Sequence, residues 1–361
     1  RSWRKLDRQS TSWLYCDSQR GIPLKYCLKE MVHMDVAILD DYQAVAQQMA
    51  DWSQLPPGIN VQFFHDHIAD EDALVDRLKN FQVVMGMRER TPFPRSVLDR
   101  LPELRLLVTA GMGNAVFDIP AATELGIVVT GTGGVGEGPT ELTWGLILAL
   151  ARRIPQEDRL TREGNWGTTV GIGLKDKTLG LLGLGHIGSL VGKVGAALGM
   201  NIIAWSQNLT PERAAECGAT LVDKDTLFKE SDVLSVHVQL SDRTRGLVGA
   251  KELSLMKPTS YLINISRGPI VDELSLIQAL TSGSIAGAGL DTFDIEPLPT
   301  NHPLLGLSNT VITPHLGYVT EDGYRVRYTQ VVEDIRAFIS GESIRVLNPQ
   351  VLESAQLRGP A

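Results

Sequence analysis

From Met34 onward, short apolar runs alternate with stretches of helical character. VAIL (36–39), VQFF (61–64), FQVVMGM (81–87), LRLLVTAG (104–111) and GIVVT (126–130) read as buried strands, separated by helical segments such as Asp70 to Lys79. A long helical stretch, Thr140 to Arg153, is followed by a polar, glycine-containing loop through Asn165 and Trp166. A second series begins at Thr178, with strands TLGLLGLG (178–185), NIIAWS (201–206), VLSVHVQL (233–240), SYLINIS (260–266), IAGAGLD (285–291) and TVITPH (310–315). One more helical stretch, Glu321 to Ile339, and a polar tail complete the chain. Strands alternating with helices predict parallel sheets covered on both faces, the α/β class.

The length of 361 residues is that of two domains of ordinary size. Apolar residues at 43% and charged residues at 21% give the balance of a globular chain. The net charge of −8 disfavours a phosphate-backbone partner, so nucleic acid is not expected as a ligand. The longest apolar run, Trp144 to Ala151, contains Gly145 and is too short to span a bilayer, so no membrane association is expected. Cys16, Cys27 and Cys217 are too few for a disulfide framework and lack metal-ligand spacing. They fit a reducing compartment, which makes a cytoplasmic location the expectation and leaves no metal site.

Residues 1–33 differ from the rest, with seven Lys/Arg against three Asp/Glu and no helical or strand period. They read as an extension outside the folded protein, non-native or disordered, with an organellar presequence as the alternative.

The strongest local signal is Gly183-Leu184-Gly185-His186-Ile187-Gly188, which follows the strand Leu179 to Leu182 and opens a helix through Leu198. Gly183 permits the tight turn, Gly185 lets backbone N–H groups approach a pyrophosphate, and Gly188 lets the helix pack on the strand. A plain glycine turn between strand and helix is the alternative that such a motif must always be weighed against. In NAD-specific sites an acidic residue closes the second strand, yet here that position falls in Ala204-Trp205-Ser206-Gln207-Asn208, without a carboxylate. Thr210 and Pro211 read as the cap and first residue of a helix that carries Arg213 in its first turn. Ser206, Asn208 and Arg213 are therefore candidate ligands of a 2′-phosphate, and NADP(H) is favoured over NAD(H), unless Arg213 is only a solvated surface residue.

Three later segments name a reaction: Asn264 to Glu273 around Arg267, Gly289 to Pro297 around Asp291 and Glu296, and Thr313 to Gly317 around His315. With the glycine loop before them, they closely resemble the D-isomer-specific 2-hydroxyacid dehydrogenase family, from about Met34 to about Val351. The resemblance implies a dehydrogenase or 2-oxo acid reductase of the glyoxylate and hydroxypyruvate reductase kind. Hydride would pass between nicotinamide C4 and C2 of a small 2-oxo or 2-hydroxy acid.

It implies that Arg267 grips the substrate carboxylate, a task suited to a planar guanidinium fork. His315 would exchange a proton with the carbonyl oxygen, and Glu296 would pair with His315 and fix its tautomer. Asp291 matches the residue that holds the nicotinamide carboxamide. His186 sits where a polar side chain reaches the pyrophosphate, beside Ile187, and His237 ends a strand near the cofactor. Met87 to Thr91, with Arg88 and Glu89, and Ala110 to Asn114, with Met112 and Gly113, resemble the loops that clasp the substrate carboxylate. Glu89 and Tyr318 depart from the small residues frequent at those places and point to a substrate preference of their own.

The implied architecture is two doubly wound parallel-sheet domains. A Rossmann NAD(P)-binding domain, residues 138–317, is inserted into a flavodoxin-like substrate domain, residues 34–137 and 318–351, and family members are commonly homodimers. Formate, phosphoglycerate and phosphonate oxidoreductases of the same family are alternatives for the reaction. A corepressor-like protein that senses NAD(H) without turnover is the alternative of another class.

Overall fold

The computed structural model describes residues 33–134 and 136–360. The expectation for residues 1–33 falls outside that range except at His33.

Two parallel sheets organise the chain. The first contains β1 (Met34–Ile38), β2 (Ile59–Phe63), β3 (Val83–Gly86), β4 (Leu106–Thr109) and β5 (Val128–Gly131), in the order β2-β1-β3-β4-β5. The second contains β6 (Thr178–Leu182), β7 (Asn201–Trp205), β8 (Thr220–Leu221), β9 (Val233–Val236), β10 (Tyr261–Asn264), β11 (Gly287–Leu290) and β12 (Thr310–Ile312). Their order is β12-β11-β10-β9-β6-β7-β8. The first order is the flavodoxin-like one and the second is the Rossmann one with an added edge strand, the architecture that the family resemblance implies. Every residue of β3, β4, β5, β9, β10 and β11 is buried, which is why these segments read as mostly apolar runs rather than alternating ones.

The helix Glu321–Ile339 returns to the first sheet, where Tyr328, Val331, Ile335 and Phe338 pack against Val36, Met85 and Leu106. Thr320 caps it by accepting the Gly323 N–H. The chain thus leaves the first sheet after β5, builds the second, and comes back.

Two elements differ from the sequence reading. The segment after Arg153 is not all loop, because Ile154–Arg162 forms a helix with Pro155 in its first turn. None of its residues is buried, and exposed pairs of Arg162 with Asp158 and Arg159 with Glu163 line it. The edge strand β8, two residues long, is too short to give an apolar run.

Candidate active site

In doubly wound sheets ligands collect beyond the carboxyl ends of the strands, at the point where the strand order reverses. In the second sheet that point lies between β6 and β9, from which the Gly183–Gly188 turn and His237 respectively emerge. Gly183 has φ +104°, and a Cβ on it would lie 2.8 Å from the His237 carbonyl, so strand-to-loop packing demands glycine there. The helix His186–Ala197 begins directly on this turn with no side-chain cap at Gly185, leaving its first N–H groups free for an anion.

These features line one cavity of about 560 Å³ together with Trp205, Ser206, Asn208, Arg213 and His237. Thr210 accepts the Arg213 N–H as its cap, and the Arg213 guanidinium also bonds Glu216 Oε2 at 3.1 Å. Arg243, which sequence reasoning missed, brings a second guanidinium to the same wall. His186 points away, toward Gly136, and lines neither this cavity nor the next. The uncapped helix start, the glycine cradle and the donor-rich far wall fit a nicotinamide dinucleotide.

His237 and Val238 also line the adjoining cavity, of about 690 Å³, which receives Arg88, Glu89, Gly113, Ile187, Arg267, His315 and Tyr318. Burial pushes the His237 imidazole down to about 4, so it is neutral, with Nε2 2.8 Å from Ser235 Oγ.

Arg267 follows β10, and its extended backbone leads into the turn Gly268–Ile270. Gly268 lies so close to the Phe293 backbone that any Cβ would overlap it. This contact fixes the Arg267 segment against the one that carries Glu296. The Arg267 guanidinium donates from Nη1 to the Ser266 carbonyl and from Nη2 to Glu89 Oε1, both at 2.7 Å.

His315 follows β12 in the left-handed region, φ +53°, an uncommon conformation for a side-chain-bearing residue and one concentrated at functional sites. Its Nδ1 is 2.7 Å from Glu296 Oε2, while Glu296 Oε1 accepts the Phe293 N–H at 3.0 Å. The Tyr318 ring meets the imidazole edge-on at 5.4 Å between centroids. Arg88, Arg90 and Arg327 surround that ring at 5.7, 5.6 and 5.3 Å.

Besides His186, the expected residues Asp291 and Met112 also line neither cavity. Asp291 is 0% exposed and does not line either cavity. Its carboxylate accepts from Thr313 Oγ1 at 2.6 Å and from the Leu316 and Gly317 N–H groups at 2.7 and 2.9 Å, tying down the loop that carries His315. Burial raises its pKa against the opposing pull of these donors. Met112 is 59% exposed and leaves its place on the wall to Gly113.

A glycine-turn cavity thus adjoins one that carries an arginine and a carboxylate-paired histidine. Residues 144–317 match the model of the D-isomer specific 2-hydroxyacid dehydrogenase NAD-binding domain. A glyoxylate reductase of Aeropyrum pernix is 42% identical over 256 residues, which is 68% of this chain and 76% of that protein. The chain belongs to the D-isomer specific 2-hydroxyacid dehydrogenase family.

Within this family a D-3-phosphoglycerate dehydrogenase of Methanocaldococcus jannaschii is 38% identical over 75% of this chain and 52% of that protein. The structure of a phosphoglycerate oxidoreductase from Vibrio cholerae superposes with TM-score 0.81 at 36% identity, covering 85% of this chain and 99% of the other. Relatives named for different substrates therefore share this frame, and the side chains on the cavity wall have to decide between them.

Proposed function

We propose that this dehydrogenase reduces a small 2-oxo acid to the 2-hydroxy acid with a nicotinamide cofactor, and runs the reverse reaction from the alcohol. The observation that carries the reading is the convergence of Arg267 and the His315–Glu296 pair on one cavity that adjoins the glycine turn through His237.

Arg267 has five N–H groups, and two are held by Ser266 and Glu89, so donors remain for the substrate carboxylate. With Nδ1 turned to Glu296, His315 presents Nε2 as the proton donor to the carbonyl oxygen, and the carboxylate orients the ring for that transfer. When bound, the nicotinamide supplies the hydride. In the oxidation direction Nε2 takes the hydroxyl proton back. Arg88, Glu89, Gly113 and Tyr318 form the opposite wall and bound the space for the substrate side chain. Asp291 acts as a positioning residue through the Leu316 and Gly317 amides.

Residues 34–137 with 318–351 form the substrate unit and 138–317 the nucleotide unit. Gly183, Gly185, Ile187, Gly188 and His237 hold the cofactor, and Ser206, Asn208 and Arg213, joined by Arg243, favour NADP(H). A homodimer is supported by exposed apolar side chains after the long helix Gly138–Ala151: Ile154, Trp166 and Val170, the last two 88% and 89% exposed. Sedimentation velocity checks it.

The experiment that tests the function follows NADPH and NADH oxidation by absorbance with glyoxylate, hydroxypyruvate, pyruvate and bulkier 2-oxo acids. His315→Ala serves as control. Turnover that disappears in the variant supports the reading; cofactor binding without turnover of any 2-oxo acid overturns it in favour of a sensor of NAD(H).

A further inference from the structure

Glu89 and Arg267 come from the loops after β3 and β10, in different sheets, and their ion pair at 2.7 Å spans the cavity where substrate is expected. A carboxylate on the wall of a site that must receive another carboxylate is costly unless it has a use. Burial opposes its ionisation, yet Arg88 and Arg267 outweigh burial and hold the Glu89 carboxyl below the usual range, so it is charged at neutral pH. Only Oε1 is spent on Arg267. Oε2 is buried without a hydrogen-bond partner among the described residues, and so is Nε of Arg88, 3.7 Å from it.

An unmet buried acceptor beside an unmet buried donor is the arrangement that a hydroxyl satisfies in one stroke, donating to the first and accepting from the second. The charges narrow the ligand further. Arg88 and Arg267 contribute two positive charges and Glu89 one negative. His315 and Glu296 form their own pair, and Asp242 and Arg245 on the same wall offset each other. Among the carboxylates and guanidinium groups on the cavity wall itself one positive charge remains, enough for a single carboxylate, with Arg90 and Arg327 set back behind the Tyr318 ring. A phosphate or second carboxylate on the substrate side chain would be set against the Glu89 carboxylate, whose nearest cations, Arg88 and Arg267, are already paired with it.

We propose that Glu89 is the specificity-determining residue of this site, selecting 2-oxo acids whose side chain carries an uncharged hydroxyl donor and rejecting those whose side chain is anionic. The assignment rests on the 2-oxo acid reductase reading above and goes beyond it. It separates this chain from relatives of the same frame that are named for a phosphorylated substrate.

The test compares kcat/KM for hydroxypyruvate, for pyruvate, which lacks the hydroxyl, and for 3-phosphohydroxypyruvate, which carries an anion in its place. Ratios between substrates on one enzyme sample are independent of the active fraction, so a partly folded variant still reports. In the native enzyme hydroxypyruvate is expected to exceed both others by about tenfold or more, the worth of a hydrogen bond to a charged group. Glu89→Ala should bring the hydroxypyruvate-to-pyruvate ratio close to one. Glu89→Gln should raise 3-phosphohydroxypyruvate relative to hydroxypyruvate by about tenfold or more. Glu89→Asp, which withdraws the charge by one methylene, should lose the hydroxyl preference and keep the rejection of phosphate. Ratios that stay within about twofold of native in all three variants would overturn the assignment of Glu89, as would a native preference for the phosphorylated acid. Absence of turnover on every 2-oxo acid would instead overturn the underlying function, and the assignment with it.

Discussion

Glu296 Oε2 sits 2.7 Å from His315 Nδ1 while its other oxygen is held by the Phe293 N–H, so the carboxylate is anchored at one end and aims the imidazole with the other. Because the Phe293 backbone also abuts Gly268, the segments that carry Arg267, Glu296 and His315 form one mechanical unit.

If His315 transfers the proton, His315→Ala should lower kcat by roughly 10²- to 10⁴-fold with cofactor affinity retained. Glu296→Gln keeps the shape and removes the charge, so a smaller loss in kcat is expected, together with a changed pH profile. Steady-state kinetics across pH 5 to 9 check both. A Glu296→Gln profile that matched native would show that the pair only positions.

For the coenzyme, Arg213→Ala should raise KM for NADPH by roughly tenfold or more, the worth of one charge-assisted hydrogen bond, and leave KM for NADH unchanged. Equal effects on both coenzymes, or a native preference for NADH, would remove Arg213 from the site and leave it paired with Glu216.

The Tyr318 hydroxyl is buried without a hydrogen-bond partner among the described residues. Tyr318→Phe should therefore leave Tm unchanged or raise it, since the unmet polar atom is gone. Tyr318→Ala removes the ring that packs on His315 and should destabilise the fold by roughly 3–5 kcal/mol, the usual cost of deleting a buried aromatic ring. It should also shift turnover toward bulkier 2-oxo acids. Chemical denaturation and a substrate series check these outcomes, and an unchanged profile in Tyr318→Ala would count against its place on the wall.

Stability should depend on pH through Asp334, which burial pushes up to about 7 against the opposing pull of Arg345, 2.8 Å away. Between about pH 4 and 7 the folded protein holds a proton that the unfolded chain has released, so stability falls as pH rises through that window and levels off above it. Asp334→Asn should flatten this decline, read as the difference in urea midpoint between pH 5 and pH 8. An unchanged difference would assign the pH dependence to other groups.

Much of this was legible in the sequence for a physical reason. Strands buried on both faces, such as β4 and β10, are mostly apolar, and the glycine turn between β6 and its helix tolerates few alternatives. Thr210 caps its helix as its position suggests. The helix Ile154–Arg162 escaped notice because it buries nothing, and periodicity reports only burial. Asp291 was readable as important but not as a buried cap, since its partners Leu316 and Gly317 contribute backbone amides that carry no sequence signature. The Glu89–Arg267 pair joins residues 178 positions apart, and only the fold brings them together.

The cavity draws its two walls from two sheets. Arg88, Glu89 and Gly113 stand on loops of the first, and Arg267 and His315 on loops of the second. A change at positions 88–91 can therefore alter which side chain the substrate carries without moving the histidine or its carboxylate.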